Sequence, residues 1–202
     1  PKEDEPYPNK AKPCLELARK ISETFLKAVE EKVHWTTVCA NAVLNSIPFH
    51  EDRVMFLTLA HACCSFDSLF VCSVRVDSDV ERQISANFAR MDEKGKIQAP
   101  TTTMLVDFEP GTTLAHINDD PKIQRCMSRK ELKDLLSKFW AKVEITQKGN
   151  MYMAACRYPR RPSFSLLVKA LRFEFDLPYG EQRLGMVDRA LQAFERRFGV
   201  NL

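Results

Sequence analysis

The chain has 202 residues, 45% of them hydrophobic and 28% charged, with a formal net charge of +3; that length buries enough surface to hold a core without disulfide or metal staples. Six glycines argue against a glycine-rich phosphate loop, and no apolar run reaches the ~18 residues of a membrane span. Seven scattered cysteines, with no C-x-x-C spacing, suit a reducing compartment, cytoplasmic or nuclear, better than a secreted disulfide framework.

Residues 1–12 are acidic and proline-rich and lack the pattern of a secretory signal, so they read as a flexible arm ahead of a single globular domain over 13–202. Pro13 suits a first helical position, and Leu15, Ala18, Ile21, Phe25, Ala28 and Val29 recur behind it at helical spacing. Glu16–Lys20 and Glu23–Lys27 are i, i+4 pairs in the favourable order. A second helix is expected from Thr36 to Ser46, ending before Pro48. A third starts at His50, where Glu51 and Asp52 suit the positive end of a helix, and carries Val54 to Cys64. Leu69 to Val76 fits an extension of that helix or a buried strand. Asp77 or Ser78 suits the cap of another helix through Arg90, and residues 94–100 are the place for a boundary between two lobes.

Thr103–Glu109 and Thr112–Asn118, around Pro110-Gly111, form the best strand-and-turn signal. Ser128 and Glu131 make a capping-box pattern before Leu132, Leu135, Leu136, Phe139 and Val143. Met151 to Tyr158 reads as a strand, and Phe164 to Phe175 as strand or helix. After Pro178-Tyr179-Gly180, Leu184, Val187, Leu191, Phe194 and Phe198 follow steps of three and four up to Gly199, a C-terminal cap. That stripe suits packing on its own domain or self-association with a second copy. The fold class expected is α+β and helix-dominated: a single domain with a small antiparallel sheet near 103–118 and 151–158 and a C-terminal amphipathic helix.

Catalytic signatures are missing. No Walker loop, G-x-S-x-G, H-E-x-x-H or dinucleotide fingerprint occurs. His61-Ala62-Cys63-Cys64 is the one tight His/Cys cluster, but a structural zinc needs a second ligand pair and none has the spacing. A cysteine nucleophile would need Cys63 or Cys126 brought beside His116 by the fold. Asp107, Glu109, Asp119 and Asp120 gather around the hairpin, either as paired acids for a hard cation or glycosidic chemistry or as a solvated rim. Arg172 with Asp176 fits an internal ion pair or an exposed alternating face. No metal, cofactor or catalytic residue is assigned.

Charge distribution is more telling. The first hundred residues hold 13 basic and 15 acidic side chains, the remainder 17 and 12. Lys122 to Arg172 alone has 13 basic residues against three acids, which points to a polyanionic partner. The residues expected to bind nucleic acid are Lys130, Lys133, Lys138, Lys142, Lys148, Arg157, Tyr158, Arg160 and Arg161, cations for phosphates with an aromatic ring for bases. Within CRYPRRPSF (156–164) the prolines are expected to hold Arg160 and Arg161 outward. The function expected is non-enzymatic: a nucleic-acid-binding, self-associating structural protein of the nucleoprotein, coat or matrix kind, with which a viral role is compatible. Its partner is a single strand bound without sequence preference, and the protein forms a homo-oligomer. The alternatives are an interaction module for an acidic protein or anionic membrane, and an enzyme with a Cys/His or carboxylate site.

Overall fold

The computed structural model describes residues 7–78, 102–104, 109–117 and 120–202. Over these the chain forms five helices and three sheets, an α+β fold. It divides into two compact units, one drawing on the chain up to Trp35 and again from Pro162, the other running from Thr36 to Arg161. Among the described residues no helix is long and apolar enough to cross a membrane.

The first unit holds α1 (Tyr7–Glu30), α4 (Phe164–Glu174), the short hairpin β8 (Pro178–Tyr179) and β9 (Gln182–Arg183), and α5 (Val187–Phe198). Leu15, Leu26 and Val29 of α1 are buried with Leu167, Leu171, Ala190 and Phe194, one apolar stripe from each helix meeting in the middle. Phe25 stacks on Trp35 and on Phe175, with ring centroids 6.1 and 6.5 Å apart. Outside the core, Arg19 donates from Nε to the carbonyl of Leu184 at 3.1 Å, and Arg189 pairs with Glu23 at 3.0 Å and Glu30 at 2.8 Å. Gly199 closes α5 in the left-handed conformation at φ 67°.

The second unit is built on an antiparallel sheet in the order β1-β2-β7-β6: β1 (Trp35–Asn41), β2 (Cys64–Arg75), β7 (Met151–Pro159) and β6 (Trp140–Lys148). Cross-strand partners Phe70↔Cys156, Cys72↔Ala154, Val143↔Cys156 and Ile145↔Ala154 fix the register. Successive strand side chains point to opposite faces, so these residues share one face. That face packs with Leu57 and Ala60 of α2 (His50–Cys63) and with Leu132, Leu135 and Leu136 of α3 (Arg129–Leu136) in one core cluster. Trp140 is fully buried and lies parallel to Phe70 at 4.4 Å. A three-stranded sheet, β3 (Thr102–Met104), β4 (Thr112–Ile117) and β5 (Asp120–Arg125), belongs to the same unit.

Several expectations change. Thr36–Ser46 is not a helix: Thr36, Thr37 and Val38 are β-branched, and that stretch forms strand β1 and a short 3-10 turn, Leu44–Ser46, as their stiff side chains favour. Ser128 caps the helix as expected, accepting from the Glu131 backbone N–H at 3.1 Å, but the Glu131 carboxylate pairs with Arg125 instead of closing the box. The apolar stripe beyond it does not continue the helix, which ends at Leu136; from Trp140 the pattern alternates, Lys142 and Glu144 outward and Val143 and Ile145 inward, and forms β6. The strands near 112–117 and 151–158 lie in different sheets. Tyr7 to Lys12, expected in the flexible arm, belong to α1, whose Pro13 falls inside the helix rather than at its start. Phe164–Glu174 is a helix. Asp176 pairs with Arg183 at 2.7 Å, not with Arg172. The helix expected up to Arg90, the boundary near 94–100, and Asp107 and Asp119 lie outside the described residues.

Candidate nucleic-acid interface

With α2 and α3 covering one face of the four-stranded sheet, the opposite face carries the alternate residues. Lys142↔Arg157, Glu144↔Ala155, Thr146↔Met153 and Lys148↔Met151 are cross-strand partners there, and on β2 Val71, Ser73 and Arg75 face the same way. Lys142, Lys148, Arg157, Thr146 and Met153 are exposed, while Val71 and Ala155 are half-buried. Ser73, in the middle, is buried and hydrogen-bonds to the Asn41 side chain. Among these residues Glu144 is the one carboxylate, and it pairs with Lys142 at 3.0 Å. The face therefore presents more positive than negative charge along two adjacent strands.

The predicted cations do not form one surface. Lys142, Lys148 and Arg157 share the open sheet face. Lys130 and Lys133 sit on α3, on the other side of the sheet, with Lys138 just after it. There Lys130 pairs with Asp134 at 3.8 Å and Lys138 reaches His50 Nε2 at 3.4 Å. An open cleft of about 310 Å³ beside them is lined by His50, Ser128, Lys130, Glu131, Asp134, Leu135 and Lys138, a mixture of signs with no net bias toward an anion.

Arg160 is exposed, but it also anchors local structure. Its backbone N–H donates to Phe139 O at 2.8 Å, its Nε donates to Ser137 O at 3.0 Å, and its carbonyl accepts from His61 Nε2 at 2.9 Å. CRYPRRPSF is thus a tied strand end, and of its arginines Arg157 stands on the open face. Arg161 is exposed where the second unit ends. Tyr158 lies at φ 60° and its ring meets Phe66, centroids 5.3 Å apart. Phe66, 74% exposed, carried no sequence signal: an aromatic next to Asp67 at the start of a strand looks like any core position.

The stripe assigned to self-association is used largely within the first unit. Leu184 and Phe194 are buried and Val187, Leu191 and Phe198 half-buried. Phe194 packs against Phe25 and Phe198 at 6.4 and 6.3 Å, and Phe198 meets Phe164 edge-on at 5.5 Å.

Two other arginines of the second unit are internal. Arg53, 1% exposed, ion-pairs with Glu109 and donates to the carbonyls of Ile47 at 2.8 Å and Pro48 at 3.0 Å. Arg125 lies 3.5 Å from Glu109 through Nε and pairs with Glu131 at 2.5 Å through Nη2. Gly111, at φ 86°, lets the turn close on this group, since a Cβ there would lie 2.9 Å from both Arg125 Nη1 and Cys126 O. Burial works to raise the Glu109 pKa, but the hydrogen bonds from Arg53 and the His50 N–H and the two guanidinium charges hold it below the usual carboxylate range. Glu109, expected on a solvated rim or in a catalytic pair, is a counter-ion.

Two thiols of the sheet are similarly internal: burial pushes Cys72 up to about 12, and Cys156 is pushed up by burial and the neighbouring Cys72 and Cys64. A thiol held protonated is a poor nucleophile. Among the described residues no group of three or more His, Cys, Asp or Glu is placed to hold a metal ion.

No family model matches this chain, and no curated protein sequence matches it. Among solved structures it is similar to the PH0226 protein from Pyrococcus horikoshii OT3, at 10% identity and a TM-score of 0.40, over 62% of this chain and 51% of that one. The chain thus spans about half the length of that protein, and at this score the likeness carries no argument about activity.

Proposed function

We propose that the chain is a non-enzymatic nucleic-acid-binding protein, of the nucleoprotein, coat or matrix kind, that holds phosphates against the open face of its four-stranded sheet. The observation that carries this reading is the cross-strand pair Lys142–Arg157, with Lys148 further along the same face of β6. Strand-borne cations are spaced by the ladder, so they follow a backbone rather than grip one point. Phosphate contacts of this kind position a nucleic acid without reading its sequence. The α3 lysines stand apart from this surface and partly face acids, so the reading rests on the sheet alone.

The test is anisotropy of labelled RNA and DNA single strands across a salt titration. Three phosphate contacts predict that log K falls with log salt with a slope of about −2. Lys142→Glu with Arg157→Glu should abolish most of that binding, whereas Lys130→Glu with Lys133→Glu should leave most of it. Failure of the wild-type protein to bind either strand at low salt overturns the reading. Binding to anionic vesicles or an acidic peptide instead would assign the same face to the interaction-module alternative.

A further inference from the structure

We propose that the methionine strip in the middle of the open sheet face, Met151 and Met153 with Ala155 and Val71, is a platform for unpaired bases, so that the ligand is a single strand lying along β7; this rests on the nucleic-acid reading above. The β6–β7 and β2–β7 registers divide the face into rows. Lys142 and Arg157 form the first, and Glu144, Ala155 and Val71 the second. Thr146, Met153 and Ser73 form the third, and Lys148, Met151 and Arg75 the fourth. Directly opposed partners point the same way, so all of these side chains belong to one face.

The order of the rows carries the assignment. Exposed cations stand at both ends, Lys142 and Arg157 at one and Lys148 at the other. The charged side chain of the two middle rows is Glu144, paired with Lys142 at 3.0 Å. A carboxylate there repels phosphate, which favours phosphates at the ends of the face over its middle. The middle is otherwise apolar or small: Met153 is 38% exposed, Ala155 and Val71 are half-buried, and Met151 continues the strip into the fourth row. A lone exposed methionine is ordinary. One seated between two groups of cations on the same face meets whatever lies between the ligand's phosphates, and in a single strand that includes the bases. Thioether sulfur makes favourable contacts with aromatic rings, and the flexible methionine side chain adapts to many shapes, which suits bases held without sequence preference. In a duplex the bases are paired and stacked, and turning one outward carries an unstacking penalty. Lys142 to Lys148 spans six residues of β6, about 20 Å of strand. At about 3.4 Å per stacked nucleotide, roughly six nucleotides cover that distance, and fewer do when extended.

The experiment measures anisotropy at low salt for labelled oligothymidylates of ~3 and ~10 nucleotides, an abasic strand with the phosphates of the longer one, and a duplex of the same length. The wild-type protein should prefer the base-bearing strand over the abasic one by about 2- to 10-fold, and the single strand over the duplex. Met153→Thr, which keeps a strand-forming residue in place, should lower the preference for bases about twofold or more without weakening the abasic strand. Lys142→Glu with Arg157→Glu should instead weaken both. Lys148→Glu should weaken the longer strand and leave the short one, held by Lys142 and Arg157, nearly unchanged. Equal wild-type binding of base-bearing and abasic strands, a duplex bound as tightly as the single strand, or a Met153→Thr loss that is the same on both strands overturns the platform while leaving phosphate binding intact. A Lys148→Glu loss as large on the short strand as on the long one overturns the path along β7. Absence of binding to every strand sinks the nucleic-acid reading and the platform with it.

Discussion

Arg53 sits 1% exposed among the carbonyls of Ile47 and Pro48 and the carboxylate of Glu109, whereas Arg157 stands on the open face of the sheet beside Lys142. The two guanidinium groups are chemically identical and serve opposite ends. A buried, hydrogen-bonded guanidinium is committed to holding chain segments together, since losing its partners would leave a desolvated charge. One on an open strand face is little constrained by the fold. The same division runs through the basic segment: Arg125 is internal, Arg129 donates to Ile145 O at 2.6 Å, and Arg160 is bonded to Ser137 O. A local excess of positive charge in a sequence thus overstates the charge that a polyanion meets.

That contrast is most severely tested at its buried end. Arg53→Ala should lower unfolding stability by about 3 kcal/mol, because Glu109 would lose its hydrogen-bonded partner in a half-buried site; urea denaturation measures it. A loss of less than about 0.5 kcal/mol, the range of ordinary surface substitutions, would show that Arg53 is not structural.

A pH scan tests the next level. His61 is buried against Phe139 and Trp140, and burial lowers its pKa against the opposing pull of its bond to Arg160 O. The unfolded chain therefore takes up the proton first. The stability due to neutral His61 is fully present above about pH 6.5 and is lost as pH falls from there toward the lower folded value. His61→Gln, which keeps a donor for Arg160 O, should flatten the stability profile in that window; an unchanged slope would remove His61 as its source.

The smallest effect separates two neighbours. Arg160→Ala should cost about 0.5–1 kcal/mol of stability through the lost bond to Ser137 O, with little change in polyanion affinity. Arg157→Ala should do the reverse. If both variants act alike in both assays, the division between structural and binding arginines fails.

Parts of this division were legible in the sequence. Ser128 and Glu131 announced α3, and Glu51 and Asp52 the start of α2, because caps and end charges are local. β6 was obscured because Phe139 and Val143 satisfy a helical period with Leu132, Leu135 and Leu136 by coincidence. The alternation Val143, Glu144, Ile145 was the signal that resolves it. Charge alone marks Lys142, Lys148 and Arg157, but which of the basic residues share a face depends on the β6–β7 register, a long-range pairing that no local pattern encodes. Arg53 carries no local signal because its counter-ion lies 56 positions away.

The division of the chain also sets an order of assembly. Thr36–Arg161 is one uninterrupted stretch, while its neighbour takes α1 from before it and α4 and α5 from after it. Synthesis runs through the whole of the sheet-bearing unit before it reaches residue 162, and domains generally fold as units during synthesis. Leu15, Leu26 and Val29 must then wait, unburied by their own unit, until Leu167, Leu171 and Phe194 are made. During that interval the apolar face of α1 is transiently exposed hydrophobic surface, the kind that chaperones cover.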